Sequence, residues 1–277
     1  MTATATTVHW KTADGVEIHC RLWEVTHDQS PPEKEIWLVH GLGDHGGRYD
    51  ELAQALNRRG FRVIVADHRG NGQSGGKRGH ANSLAQLLDD LQLTIEKTKS
   101  SAQRKFILGQ SMGGLVVARL LMLRQVEFQG AVLLSPLFRT FGPRPNFQLF
   151  IARFLRIVFP SLTFSAKFRA DELTSSETKK KLYRRDENNH GRISAALGVD
   201  LFDEGEKAIS NAARLEIPTL VMHGSVDRIT CPTAAREFVE KCPAAEFKLW
   251  PDKRHELHNE EDNQPIMEYL IQWMEGF

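Results

Sequence analysis

The sequence predicts an α/β fold in which helices alternate with the strands of a mostly parallel sheet. Short apolar runs of strand length are followed by helical patterns over most of the chain, the order that builds parallel sheets. Near the N-terminus, Asp14 and Gly15 separate the strand-like residues 8–11 and 16–25, which predicts a β-hairpin. The predicted sheet is therefore mixed, with an antiparallel edge.

A helix is predicted after Ser83, a residue type that caps helix N-termini. Apolar residues then recur at helical spacing: Leu84, Leu87, Leu88, Leu91 and Ile95. Asp89, Asp90 and Gln92 fall on the opposite side of this helix. We expect the helix to pack its apolar face on the sheet and to leave the three polar residues in solvent.

Residues 109–113 (Gly-Gln-Ser-Met-Gly) lie between the apolar runs 106–108 and 115–118. This pattern predicts Ser111 on a sharp turn between a strand and a helix, the nucleophile elbow. Glycine is expected two residues to either side of the serine because a Cβ atom there would crowd a strained turn. The backbone N–H of Met112 would then point to the place where a substrate oxyanion forms.

A serine nucleophile needs a base and an orienting acid, here in the order serine, acid, histidine. Asp227 follows the predicted strand 217–222, and His255 follows the predicted last strand 247–250. Loops at the carboxyl ends of parallel strands meet at one sheet edge, so the three side chains can converge. Taken singly, Asp227 could be a turn aspartate and His255 a solvated loop residue. Their order and placement favour a catalytic triad.

Five segments form a specific set of motifs: residues 40–49 (His-Gly-Leu-Gly-Asp-His-Gly-Gly-Arg-Tyr), 67–74 (Asp-His-Arg-Gly-Asn-Gly-Gln-Ser), 109–113, 224–227 (Gly-Ser-Val-Asp) and His255. On these motifs the chain resembles the serine α/β-hydrolases of the monoacylglycerol lipase and lysophospholipase group. The resemblance implies an eight-stranded, mostly parallel sheet flanked by helices. It also implies a hydrolase core of residues 1–135 and 217–277 and a helical cap of residues 136–216.

The same resemblance implies roles for residues outside the predicted triad. The backbone N–H of Leu42 would supply a second oxyanion donor beside that of Met112. Arg48 matches a residue that helps to hold the polar head of a monoglyceride, and His45 and Tyr49 lie beside it in the sequence. We therefore expect Arg48, His45 and Tyr49 to bind substrate.

The chain departs from the family pattern at three places. Gln110 stands where the family usually has histidine before the serine, and Asn71 replaces a histidine. Residues 141–144 (Phe-Gly-Pro-Arg) occupy the region where monoglyceride lipases carry a head-group carboxylate. These departures bear on glycerol recognition and not on the residues of the predicted triad.

An amphipathic helix is predicted within the cap and ends at Pro160. Its apolar residues are Phe147, Phe150, Ile151, Phe154, Leu155 and Val158, with Gln148, Ala152 and Arg156 opposite. We expect this apolar stripe to pack inward and to line an acyl tunnel, with Phe147, Phe150 and Phe154 binding substrate. The alternative is that the stripe rests on a lipid surface, helped by Arg153 and Arg156.

A competing interpretation is a dinucleotide-binding oxidoreductase. Residues 41–46 (Gly-Leu-Gly-Asp-His-Gly) form a G-x-G-x-x-G motif after a predicted strand, and Asp67 follows about 20 residues later, where such folds place a ribose-binding acid. However, strand-forming residues precede the motif, and this interpretation leaves Ser111, Asp227 and His255 unexplained.

Composition favours a single enzyme domain without a nucleic-acid partner. The 277 residues carry a net charge of +1, which provides no field to attract polyanions. Three cysteines are too few and too scattered for a disulfide framework. With neither a signal pattern nor an 18-residue apolar run, the protein is expected in the cytoplasm, with transient lipid contact through the cap as the membrane alternative.

These features predict a serine hydrolase that cleaves esters of lipid-like substrates through an acyl-enzyme. No cofactor is required by this chemistry, and His255 and His258 are spaced three apart rather than the four of a zinc-binding helix. The scaffold also hosts esterases, thioesterases and peptidases for small substrates, and receptors that bind a small ligand without turnover.

Overall fold

The structure, a computed structural model, describes residues 4–25, 32–142 and 146–277, without the side chains of residues 146–149. Its strands in chain order are β1 (Thr6–Lys11), β2 (Glu17–Trp23), β3 (Lys34–Val39), β4 (Phe61–Ala66), β5 (Arg104–Gln110), β6 (Gly130–Leu134), β7 (Thr163–Ser165), β8 (Arg192–Ser194), β9 (Thr219–Gly224) and β10 (Ala245–Trp250). All but β7 and β8 form one eight-stranded sheet in the order β1-β2-β4-β3-β5-β6-β9-β10. β7 and β8 pair only with each other.

The sheet is parallel from β4 to β10 and antiparallel at the β1 edge, as predicted. β1 and β2 form the predicted hairpin, with Val8 opposite Cys20. Gly15 has a φ of +82° in its turn, a left-handed conformation that glycine adopts without steric strain.

The helices are α1 (Asp50–Arg58), α2 (Leu84–Thr98), α3 (Met112–Leu123), α4 (Asn146–Val158), α5 (Ala170–Leu173), α6 (Glu177–Arg185), α7 (Ala195–Ser210), α8 (Pro232–Glu240) and α9 (Gln264–Glu275). α1 and α9 pack on one face of the sheet, and α2, α3, α7 and α8 pack on the other. β5 shows why both faces are covered: Phe106 and Leu108 enter one core and Ile107 the other, because side chains alternate along a strand.

α2 confirms the helix predicted after Ser83, whose side chain accepts a hydrogen bond from the backbone N–H of Gln86 at 3.2 Å. The leucines of its apolar face are buried. The prediction that Asp90 lies in solvent is wrong. Asp90 is buried and accepts two hydrogen bonds from Arg69, at 2.5 and 2.8 Å. The hydrogen bonds from the Arg69 guanidinium, 21 residues away in the chain, replace the water that the Asp90 carboxylate loses on burial.

Helices α4 to α7 and the β7–β8 pair lie between β6 and β9 in the chain. We call residues 136–216 the cap segment. Its elements make hydrogen bonds to the core, for example from the backbone N–H of His190 to the carbonyl of Gly43 at 2.9 Å and from that of Ser194 to the carbonyl of Gly79 at 2.9 Å. The cap segment is therefore held against the loops at the carboxyl ends of the central strands.

The apolar stripe of α4 faces solvent, so the expectation that it packs inward is wrong. Phe150 is 70% exposed, Phe154 59% and Ile157 82%. The side chain of Phe147 lies outside the described part of the chain. Ion pairs join the helix to α7, from Arg153 to Asp203 at 2.8 Å and from Arg156 to Asp200 at 2.5 Å.

Candidate active site

Ser111 sits on the predicted sharp turn between β5 and α3. Its φ of +56° and ψ of −118° are strained for a residue with a side chain. A Cβ atom at Gly109 would stand 2.3 Å from the carbonyl oxygen of Gly113, and one at Gly113 would stand 2.0 Å from that of Val39. Both glycines are therefore required by the close approach of backbone atoms, the reason given for them from the sequence.

Asp227 and His255 meet at the same edge of the sheet, in the loops after β9 and β10. His255 Nδ1 lies 2.8 Å from Asp227 Oδ2, and both side chains are buried. The other carboxylate oxygen of Asp227 accepts the backbone N–H groups of Ile229 at 2.7 Å and Thr230 at 3.1 Å. Because Asp227 engages Nδ1, the Nε2 atom of His255 is left for a second partner. Ser111 and His255 line the same small cavity.

Electrostatics favour an ionised Asp227 beside His255. Burial opposes ionisation of Asp227, but His255 and the hydrogen bonds to the carboxylate lower its pKa to about 2. Burial opposes the charged imidazolium form of His255, whereas the carboxylates of Asp227 and Glu256 stabilise it. The net effect raises the pKa of His255. Asp227 thus stabilises the charge that the imidazole acquires when it takes a proton.

Thr230 and His223 support Asp227, and neither residue was predicted from the sequence. The hydroxyl of Thr230 lies 2.8 Å from Asp227 Oδ2 and 3.2 Å from His223 Nε2. His223 is fully buried at the end of β9, four residues before Asp227. A hydroxyl three residues after a candidate aspartate was the available signal, since such residues fold back onto the carboxylate in a tight loop.

Leu42 and Met112 flank Ser111, where oxyanion donors were predicted. Met112 is the first residue of α3, where backbone N–H groups have no partner within the helix. Leu42 follows Gly41, at which a Cβ atom would stand 2.6 Å from Gln110 Oε1 and 3.3 Å from Ser111 Cβ. Glycine at 41 therefore lets the loop after β3 approach the Ser111 turn.

A large cavity of about 520 Å³ opens beside Ser111 between the core and the cap segment. Its wall is mostly apolar and includes Leu42, Leu137, Phe138, Phe164, Phe168, Ile193, Val199, Leu201 and Phe202. The volume lies within the range of pockets for drug-sized ligands. From α4, Ala152 lines this cavity, whereas the predicted substrate-binding residues Phe150 and Phe154 face solvent.

A second cavity of about 20 Å³ also reaches Ser111, and several polar and charged side chains stand in its wall. That volume suffices for about one water molecule. The wall contains Gly41, Leu42, Gly43, Asp44, Arg48, Gln110, Phe168, Leu173, Tyr183, His255 and Glu256. We call it the small cavity. Ser111 and Leu42 line both cavities, so the hydroxyl stands where an apolar and a polar compartment meet.

Arg48 lines the small cavity, but its guanidinium is already engaged. It donates to both oxygens of Glu256, at 2.8 and 2.6 Å, and to Asp44 Oδ1 at 3.0 Å. Burial opposes ionisation of the two carboxyls, but Arg48 lowers the pKa of Glu256, and it contributes to lowering that of Asp44 to about 2. Two carboxylates and one guanidinium leave this buried cluster with a net charge of −1.

His45 and Tyr49, also predicted to bind substrate, lie behind this cluster and not in the wall of either cavity. His45 Nε2 is 2.7 Å from Asp186 in the cap segment. The hydroxyl of Tyr49 donates to Asp44 Oδ2 at 3.1 Å, and its ring stacks on His258 with centroids 4.8 Å apart. The structure thus places both residues where they brace Asp44 and the cap segment.

Asp67, the acid that the dinucleotide interpretation needs for a ribose, is instead hydrogen-bonded to the backbone of the protein. Asp67 is buried and accepts the backbone N–H of Gly46 at 2.6 Å and that of Gln73 at 2.8 Å. A Cβ atom at Gly72 would stand 2.1 Å from this carboxylate, so there is no space for a ribose. Asn71, which replaces a family histidine, lies with its Oδ1 2.9 Å from His190 Nε2 in the cap segment.

Comparisons with known proteins agree with this geometry. The family model described as serine aminopeptidase, S33, matches residues 30–262. An abhydrolase domain-containing protein of Dictyostelium discoideum is 29% identical over 95% of the chain, which spans 28% of that protein's length. Monoglyceride lipase of Rattus norvegicus is 28% identical over 96% of the chain and 89% of its own length. The crystal structure of Paleococcus ferrophilus monoacylglycerol lipase is 29% identical, covers 98% of both chains and has a TM-score of 0.82.

Proposed function

The chain belongs to the serine aminopeptidase S33 family of α/β-hydrolases, and we propose that it hydrolyses carboxylic esters of lipids that carry one long acyl chain. The observation that carries this proposal is the position of Ser111 at the junction of an apolar cavity of about 520 Å³ and a polar one of about 20 Å³. We assign the acyl chain to the first compartment and a hydroxyl of the alcohol half, a group about the size of one water molecule, to the second. The similarity to two monoacylglycerol lipases supports the same substrate class.

In this proposal Ser111 attacks the ester carbonyl while His255 Nε2 takes its proton. Asp227 holds the imidazole with Nδ1 protonated and stabilises the imidazolium. The backbone N–H groups of Leu42 and Met112 would stabilise the oxyanion, each being worth about 10²- to 10³-fold in rate. His255 then protonates the departing alcohol, and later activates the water that releases the fatty acid and restores Ser111.

The charge of the small cavity distinguishes between classes of alcohol. Asp44, Glu256 and Arg48 together carry a net charge of −1, and the hydrogen-bonding groups of Arg48 that face the carboxylates are engaged. A phosphate group would meet like charge in a buried site, which is strongly unfavourable. We therefore propose a small neutral alcohol such as glycerol, and a monoacylglycerol rather than a lysophospholipid as the substrate.

A substrate panel tests this proposal. We expect kcat/KM for 1-monooleoylglycerol to exceed that for oleoyl lysophosphatidylcholine by at least about tenfold, equivalent to about 1.4 kcal/mol. Oleoyl-coenzyme A and an aminoacyl p-nitroanilide represent the thioesterase and peptidase alternatives, and we expect slower turnover of both. Equal or faster hydrolysis of the lysophospholipid would overturn the assignment of the alcohol. Absence of turnover with every compound would favour a ligand receptor.

We further propose that residues 136–216 act as a cap that both covers the acyl cavity and contacts lipid surfaces. The exposed apolar side chains of the cap form a patch: Phe150, Ile151, Phe154, Ile157, Val158 and Phe159. Exposed apolar patches of this kind mark sites of protein or membrane contact. Across the described ranges, the helices are too short or too polar to traverse a bilayer. We propose that the contact is peripheral and that it is made from the cytoplasmic side.

Vesicle flotation tests this contact. Replacing Phe154 and Ile157 together by serine should reduce binding to phosphatidylcholine vesicles at least tenfold, because burying each apolar side chain contributes about 2 kcal/mol. Hydrolysis of a soluble short-chain ester should stay unchanged. The control is Leu123→Ser at the far end of α3, where Leu123 is also exposed. If the double variant and the control float like the wild type, the cap patch is not the lipid-binding surface.

A further inference from the structure

Gln110 is the last residue of β5 and precedes Ser111 directly, and it lines the small cavity. Its side chain is buried. The carbonyl end is placed against the wall: Oε1 lies 3.5 Å from the hydroxyl of Tyr49 and close to Gly41. The amide nitrogen belongs to the same planar group, so this packing also fixes the position of Nε2.

Gln110 Nε2 has no hydrogen-bond partner among the described residues, although it is shielded from solvent. Of the described residues in the wall of the small cavity, Gln110 alone has such a buried and unpaired side-chain atom. An amide nitrogen buried without a partner destabilises a fold, because it loses its hydration without replacement. A buried and unpaired donor beside a candidate nucleophile indicates that a group of the ligand accepts its hydrogen bond.

The other buried polar groups nearby are already paired. Asp44 accepts from Arg48, Tyr49 and the backbone of His45, and Glu256 accepts from Arg48 and from Asn259 at 2.9 Å. Neither carboxylate lies within hydrogen-bond distance of Gln110 Nε2. A donor that remains uncommitted must therefore pair with a group that enters the small cavity.

We propose that Gln110 is a specificity-determining residue, whose Nε2 donates a hydrogen bond to a free hydroxyl oxygen of the alcohol half of the ester. This inference rests on the proposed function, which places a hydroxyl of the alcohol half in the small cavity. The amide is neutral and does not titrate, so it recognises a neutral polyol at every pH at which His255 is active. Histidine, the usual family residue here, would also bring an N–H donor.

The test compares two esters with the same acyl chain, 1-monooleoylglycerol and ethyl oleate, presented in the same detergent micelles. Ethanol offers no free hydroxyl once esterified. In Gln110→Met, which keeps the length of the side chain and removes the donor, we expect kcat/KM for monooleoylglycerol to fall about three- to tenfold, the effect of one neutral hydrogen bond. The loss should appear mainly in KM, and ethyl oleate should be unaffected.

Gln110→His is the matched variant, since it restores an N–H donor, and we expect it to retain most of the preference for monooleoylglycerol. Labelling of Ser111 by a fluorophosphonate reports whether each variant is folded and active. An equal loss on both esters would show that Gln110 only supports the turn at Gly41, and an unchanged Gln110→Met would show no role, so either result overturns the inference. A wild type that hydrolyses neither ester would instead overturn the proposed function.

Discussion

Replacement of Ser111 by alanine is expected to lower kcat for 1-monooleoylglycerol by about 10⁶-fold, as in comparable triads. The hydroxyl is the proposed nucleophile, and among the described serines and threonines Ser111 alone lines the small cavity that His255 also lines. Alanine removes one atom and does not alter the backbone, so substrate binding should persist. Steady-state release of oleate by the purified variant provides the measurement.

Ser135→Ala is the control for this substitution. Ser135 is buried, follows β6, and also has a positive φ, of +44°. Its hydroxyl has no hydrogen-bond partner in the described chain. The control should therefore retain activity within a few-fold of the wild type. Near-normal turnover by Ser111→Ala, or an equal loss in both variants, would contradict the role of Ser111.

Asp227→Asn is expected to lower kcat by about 10⁴-fold, the effect of the wrong histidine tautomer in a related arrangement. The backbone N–H groups of Ile229 and Thr230 donate to one oxygen of Asp227, so the amide oxygen of an asparagine would take that place. Its NH₂ group would then face His255 Nδ1. The imidazole would carry its proton on Nε2, toward Ser111, and could not act as the base.

The pH dependence gives a second measure of this pair. His255 must be neutral to accept a proton, so kcat/KM should rise as pH increases through the pKa of His255 in the free enzyme. Asp227 raises that pKa despite burial. The rise of kcat/KM with pH, which we call the acid limb, is therefore expected above the ordinary histidine pKa of about 6.5. In Asp227→Asn the burial remains without the carboxylate, and the limb should move to lower pH.

Asp252→Asn is the control, because Asp252 is exposed in the loop after β10 and has a positive φ that asparagine also tolerates. It should leave both kcat and the acid limb unchanged. A wild-type limb below pH 6, or a limb that stays in place in Asp227→Asn, would contradict the proposed coupling of His255 to Asp227.

The parts of the fold that could be predicted from the sequence are those encoded by nearby residues. The glycines around Ser111 are dictated by contacts within one turn and one neighbouring strand. The Ser83 cap and the leucine spacing of α2 are equally local. The loops of Asp227 and His255 could be placed at one edge because parallel strands run in the same direction.

What could not be predicted depends on partners distant in the chain. The pairing of Arg48 with Glu256 spans 208 residues, and that of Asp90 with Arg69 spans 21. Periodicity showed that α4 has an apolar stripe but not which way it faces, since this depends on how α4 packs on α7, to which ion pairs join it.

The central claim is that Ser111 forms the acyl-enzyme with the help of Asp227 and His255. Peptide mapping by mass spectrometry after reaction with a fluorophosphonate tests it most directly, because this reagent modifies activated serines and mimics the tetrahedral intermediate. We expect one equivalent of label on the peptide that contains Ser111, and strongly slowed labelling in Asp227→Asn. Label on a different serine, or none on a wild-type protein that hydrolyses esters, would contradict the claim.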